Sequence, residues 1–99
     1  MTDYSTLPDY MQGAMRRYIE NGIEPGGFLS AVLSNDLMGA MRKADDVNLA
    51  ALPIYGRFLY NHAPCGCFGS PDHFRGWCAM GGMRGLDRLD TEGAANDNA

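Results

Sequence analysis

Five residues in the second half of the chain carry the chemistry that a soft metal or a thiol reaction needs: His62, Cys65, Cys67, His73 and Cys78. Zinc takes four thiolate or imidazole ligands in a tetrahedron, and its structural sites usually space paired ligands by two to four residues. Here a single residue separates Cys65 from Cys67. His73 and Cys78 are five apart, a spacing that does not put two side chains on one helix face. A zinc site built from His62, Cys65, Cys67 and His73 therefore stands as an alternative. The favoured reading is ordinary thiols, two in a loop and Cys78 in a core beside Trp77, with no metal and no cofactor. A cysteine nucleophile needs a histidine base and a group that orients it. Cys65 or Cys67 with His62 or His73 offers the pair, but nothing marks an orienting acid or an oxyanion hole. No catalytic residue is assigned, and the chain reads as a non-enzyme.

The other polar groupings are read in the same way. Arg16-Arg17 and Arg42-Lys43 are possible anion patches. In an alternative function, a nucleotide signal is sequestered with its phosphates on Arg16, Arg17, Arg42, Lys43 or Arg57 and its base stacked on Tyr60. Gly26-Gly27 ahead of a helix could cradle a phosphate through free N–H groups, but it lacks a preceding strand and a following lysine, so it is read as a connector. Asp45-Asp46 could hold a hard cation; capping the next helix is the better reading. Seven methionines are many for this length, and methionine suits adaptable binding surfaces as well as core gaps. Met38, Met80 and Met83 fall off the core faces. With Arg57, Tyr60, Phe68 and His73 they suggest an exposed apolar patch, the kind of feature that marks a partner or self-association surface.

The elements that must position these residues are helical. Val47 to His62 is the densest apolar run. Leu52, Tyr55, Leu59 and His62 recur at threes and fours, so they share a helix face. Pro53 belongs in the first turn of that helix, which makes Asp46–Ala51 either a short helix of its own or a kinked first segment, and Pro64 ends the run. Upstream, Leu7-Pro8-Asp9 opens a first helix that Asn21-Gly22 stops. Phe28–Ser34 and Leu37–Ala44 are short helices, the second capped by Asn35-Asp36. Ser70-Pro71-Asp72 starts a last helix that Gly81-Gly82 ends. The predicted core holds Met11, Met15, Tyr18, Phe28, Val32, Leu37, Met41, Leu52, Tyr55, Leu59, Phe74 and Trp77.

The fold class is thus all-α, a compact bundle of about five short helices with a flexible C-terminal tail. The divisions are a flexible N-terminus over 1–6, a helical domain over 7–82, and a mostly disordered tail over 83–99. Ninety-nine residues make one domain. Seven arginines and one lysine against twelve acids leave a formal charge of −4, which disfavours direct nucleic-acid binding. No apolar run approaches the roughly 20 residues that span a bilayer, and the N-terminus lacks a signal-peptide pattern. Three cysteines, an odd number, fit a reducing compartment. A cytoplasmic protein follows as the expectation. A homodimer does too, because a chain this small gains stability by burying a patch against its own copy.

The phrases Ile19–Leu37 (I-E-N-G-I-E-P-G-G-F-L-S-A-V-L-S-N-D-L), Ala44–Asp46 (A-D-D), Leu52–Pro64 (L-P-I-Y-G-R-F-L-Y-N-H-A-P) and Gly69–Pro71 (G-S-P) resemble a family of small proteins encoded by bacteriophages and prophages of proteobacteria. The resemblance covers roughly residues 7 to 80. It implies no catalytic residue. It implies a setting, that of accessory factors countering host machinery in the host cytoplasm. The expected partner is then a host protein, plausibly a CRISPR-Cas or other immune effector inhibited in the manner of an anti-CRISPR, bound through Met38, Arg57, Tyr60, Phe68, His73 and Met80.

Overall fold

The computed structural model describes residues 2–87, which contain helices and no strand. The helices are α1 (Asp9–Asn21), α2 (Gly27–Leu33), α3 (Leu37–Lys43), α4 (Asp46–Ala50), α5 (Leu52–His62) and α6 (Pro71–Met80). Residues 82–87 are helical as well, where the sequence, read as mostly tail from 83, also allowed an extra turn over Arg84–Leu89. The remainder of that expected tail lies outside the described residues. No described helix is long and apolar enough to cross a membrane.

Local chemistry accounts for the helix ends. Gly22 takes a left-handed conformation (φ 69°) and closes α1, its N–H reaching the Tyr18 carbonyl at 2.8 Å. α1 starts one residue later than expected, with Pro8 at its cap position. Asp36 caps α3 by accepting from the Gly39 N–H at 3.0 Å, and Asp45 caps α4 by accepting from the Asn48 N–H at 2.8 Å. Pro53 sits in the first turn of α5. Ser70 Oγ accepts from the His73 N–H at 3.1 Å to start α6.

The core is built on Tyr18, Tyr55, Phe58, Met15, Ile19, Leu29 and Leu33, all essentially inaccessible. Each such side chain contributes roughly 1.5–3 kcal/mol by leaving water. Ile19, Leu29, Leu33 and Phe58 join the expected core from helices already read as apolar, and two further residues come from segments read as loose or as loop. Tyr4, in the segment read as a loose N-terminus, is buried against Phe58, ring centroids 5.6 Å apart. Cys67, read as a loop thiol, is fully buried. The loop that carries it is tied down at two points. Tyr18 Oη donates to the Cys67 carbonyl at 2.6 Å, and the Gly69 N–H donates to the Leu33 carbonyl at 2.9 Å.

Two long-range contacts hold the ends of the bundle together. The Trp77 indole N–H lies 3.0 Å from the Tyr18 carbonyl and 3.1 Å from that of Ile19, joining α6 to the last turn of α1. Beside it, Gly22 meets Gly81 and Gly82 backbone to backbone: a Cβ on Gly82 would lie 2.5 Å from the Gly22 nitrogen.

A polar chain fixes α4 between α1 and α5. Tyr10 Oη donates to Asp45 Oδ2 at 2.6 Å, and Tyr55 Oη donates to the buried Asn48 Oδ1 at 2.7 Å. The Tyr10 hydroxyl and then the Asn48 N–H hold the Asp45 carboxyl below its ordinary range, while Asp45 and partial desolvation push the Tyr10 phenol up to about 12. The lowered carboxyl stabilises the fold above its unfolded pKa near 4, and that contribution is lost as pH falls through the lower folded value. The raised phenol stabilises below its unfolded pKa near 10, and its contribution is lost as pH rises toward 12. Thermal melts of Tyr10→Phe are therefore expected to show a weaker acid loss below about pH 4 and a weaker alkaline loss above about pH 10 than wild type. Parallel pH profiles for the two proteins would show that the latch contributes nothing.

Candidate interaction surface

α3 turns its large side chains outward. It lies against α2, and its buried residues are the small ones, Gly39 and Ala40; a Cβ on Gly39 would strike the Asp36 carboxylate that caps the helix. Leu37, Met38 and Met41 are left 61%, 73% and 45% exposed. The sequence placed Leu37 and Met41 in the core, and the structure corrects this. The small pair at 39–40 is on the buried side of the helix, and the bulky residues are on the exposed side. Residues 37, 38 and 41 share one stripe of helix surface.

The stripe borders a groove. Tyr60, 83% exposed at the C-terminal end of α5, packs edge-on against Phe68 with ring centroids 5.4 Å apart. Leu37, Leu52, Gly56, Tyr60 and Phe68 line a cavity of about 270 Å³, with Asp36 at its lip. Asp36 is engaged in capping α3. Nine large hydrophobic side chains are exposed among the described residues, and seven of them (Leu37, Met38, Met41, Val47, Leu49, Ile54 and Tyr60) lie between positions 37 and 60.

The six residues expected to bind a partner divide among three places. Tyr60 and Phe68 line this groove, and Met38 stands on the adjoining stripe. Arg57 lines a different groove with Ile54, Phe58 and His62. His73 and Met80 line a third with Cys65, Trp77 and Leu86. Met80 and Met83, expected to be exposed, are half-buried against the core.

The nucleotide arrangement does not assemble. Arg16 lies over the Tyr4 ring, 5.1 Å from its centroid, with Nε 3.6 Å from Glu20. Arg17 runs along Gly13, Lys43 lies over Gly27, and Arg42 is exposed at the end of α3. Arg16 and Arg57 line separate grooves. Arg16 and Arg17 lie on α1, Arg42 and Lys43 on α3 and Arg57 on α5, and none of the grooves described is lined by cations from two of these helices.

The zinc alternative is corrected on similar grounds. His62 packs at the end of α5 against Phe58, ring centroids 6.1 Å apart, while Cys65 and His73 face the third groove and Cys67 points into the core. No group of three or more potential ligands forms among the described residues. Burial pushes the Cys67 thiol up to about 12, and burial also raises Cys78. A thiol held protonated is a poor ligand and a poor nucleophile.

No protein-family model, curated protein or solved structure matches the chain.

Proposed function

We propose that this chain is a non-catalytic binding protein that docks another protein through the α3 stripe and the adjoining Tyr60–Phe68 groove. One observation carries the reading: Leu37, Met38 and Met41 stand exposed along one stripe of α3, and Leu37 and the exposed Tyr60 line the groove beside it. Contiguous apolar patches on small soluble proteins mark interaction sites, and aromatic and methionine side chains are enriched in interface cores. The resemblance to small phage and prophage proteins makes the partner a host defence protein, with inhibition of the anti-CRISPR type as the specific form. The host cytoplasm is the corresponding location.

The test measures binding to purified CRISPR-Cas effectors and phage plaquing on a CRISPR-protected host. Wild-type protein is expected to bind an effector and restore plaquing. Met38→Asp places a charge at the centre of the stripe and is expected to weaken binding by at least about 30-fold, the scale of an interface hot spot. Absence of both binding and restored plaquing would sink the reading. Equal binding by Met38→Asp would move the site elsewhere on the molecule.

A further inference from the structure

We propose that in the free protein a second copy of this chain covers the α3 stripe and its groove, so that the docking surface is stored as a two-fold dimer. The inference rests on the reading of this surface as a protein-docking face, and it names the occupant present before any host partner arrives.

Area is the first argument. Leu37, Met38, Met41 and Tyr60 leave on the order of 500 Å² open, taking roughly 200 Å² for a fully exposed large side chain. A stable interface of standard size uses about 800 Å² per partner, of which somewhat over half, about 450 Å², is apolar. The exposed area of these four residues is thus of the same order as the apolar share of one side of such an interface.

Shape is the second. A two-fold axis sets the same patch of each copy against the other, so the patch must be complementary to itself. Here a ridge and a groove lie side by side. Leu37, Met38 and Met41 project from α3, and the groove between Leu37, Leu52, Gly56, Tyr60 and Phe68 adjoins it. Each copy's ridge can enter the other's groove. The groove holds about 270 Å³, below the roughly 300–1,000 Å³ of small-molecule sites and suited to a few inserted side chains.

Charge is the third. Self-pairing sets any charge near the axis against its own kind. The ridge residues are uncharged, and the charged groups beside them are of both signs, Asp36 in the groove lining and the exposed Arg42 one turn beyond Met38.

Sedimentation velocity on the full chain, from about 1 to 200 µM, tests the proposal. Wild type is expected to reach twice the 10.8 kDa chain mass. The double variant Met38→Asp/Met41→Asp, and independently Tyr60→Arg, are expected to remain at the single-chain mass with an unchanged helical circular dichroism spectrum. Ile23→Asp, which changes an exposed residue on the α1–α2 connector, is expected to dimerise like wild type. A wild type that stays at the single-chain mass throughout overturns the self-docking, while leaving effector binding by Met38→Asp as a separate measurement. A dimer that survives both ridge and groove variants also overturns it, because the copies would then meet through another surface.

Discussion

Gly82→Ala is expected to lower stability by at least about 3 kcal/mol, the upper range for a single strained backbone position. For a domain of this size that corresponds to a melting temperature lower by more than about 12 °C. Two costs combine. Gly82 has φ 68°, a left-handed conformation that costs an L-residue roughly 1–2 kcal/mol. The added Cβ would also lie 2.5 Å from the Gly22 nitrogen, 2.7 Å from the Asn21 nitrogen and 2.8 Å from the Glu20 carbonyl carbon. All three are backbone atoms of the last turn of α1, so no side chain can swing away. Gly76→Ala, inside α6 with open space around it, is the control. It is expected to raise stability by about 0.5–1 kcal/mol through the helix propensity of alanine. Thermal melts of both variants decide the matter. A Gly82→Ala melt within a few degrees of wild type would show that the α1–α6 junction opens at little cost.

Trp77→Ala is expected to cost roughly 3–5 kcal/mol, the range for deleting a large buried aromatic. Trp77 is buried, and its indole N–H bridges the Tyr18 and Ile19 carbonyls. Trp77→Phe separates the two contributions. The smaller ring keeps much of the packing but leaves the Ile19 carbonyl without this donor, a loss of about 1–3 kcal/mol. Urea unfolding followed by circular dichroism gives both numbers. If Trp77→Phe costs as much as Trp77→Ala, the hydrogen bond dominates the junction. If Trp77→Phe is silent, packing alone holds α6 to α1.

The helices were legible because their signals are local. Ser70-Pro71-Asp72, Asp36, Asp45, Pro53 and Gly22 each act on backbone groups within about one turn, and each does in the structure what its residue type dictates. Much of the core was legible too, because α1 and α5 are long enough for a period of 3.6 to show. The orientation of α3 was not. Seven residues make two turns, and two turns of L-M-G-A-M-R-K offer an apolar residue on every side. What decides the matter is which side of α3 lies against α2, a tertiary fact that no periodicity contains; the small Gly39 and Ala40 are on the buried side. The burial of Tyr4 and Cys67 was hidden for a related reason. Both depend on partners far along the chain, Phe58 for one and Tyr18 for the other. Gly81-Gly82 read as a helix stop, which the left-handed Gly81 supports, but the close approach to Gly22 is visible only once α1 and α6 are side by side. Of the expected partner-binding residues, Met38, Tyr60 and Phe68 come to one face. Arg57, His73 and Met80 were grouped with them only because they fitted no core stripe.

The outward turn of α3 has a chemical consequence of its own. Met15 is sealed in the core, whereas Met38 and Met41 stand open to solvent. In a single, undimerised copy a peroxide reaches these thioethers before that of Met15 and converts them to sulfoxides, which are polar, chiral and restored only by dedicated reductases. Oxidation at those two positions replaces the apolar ridge with a wet one while leaving the core of the bundle untouched. Among the described methionines, the two on the proposed docking ridge are thus the ones a peroxide meets most readily when no second copy covers them.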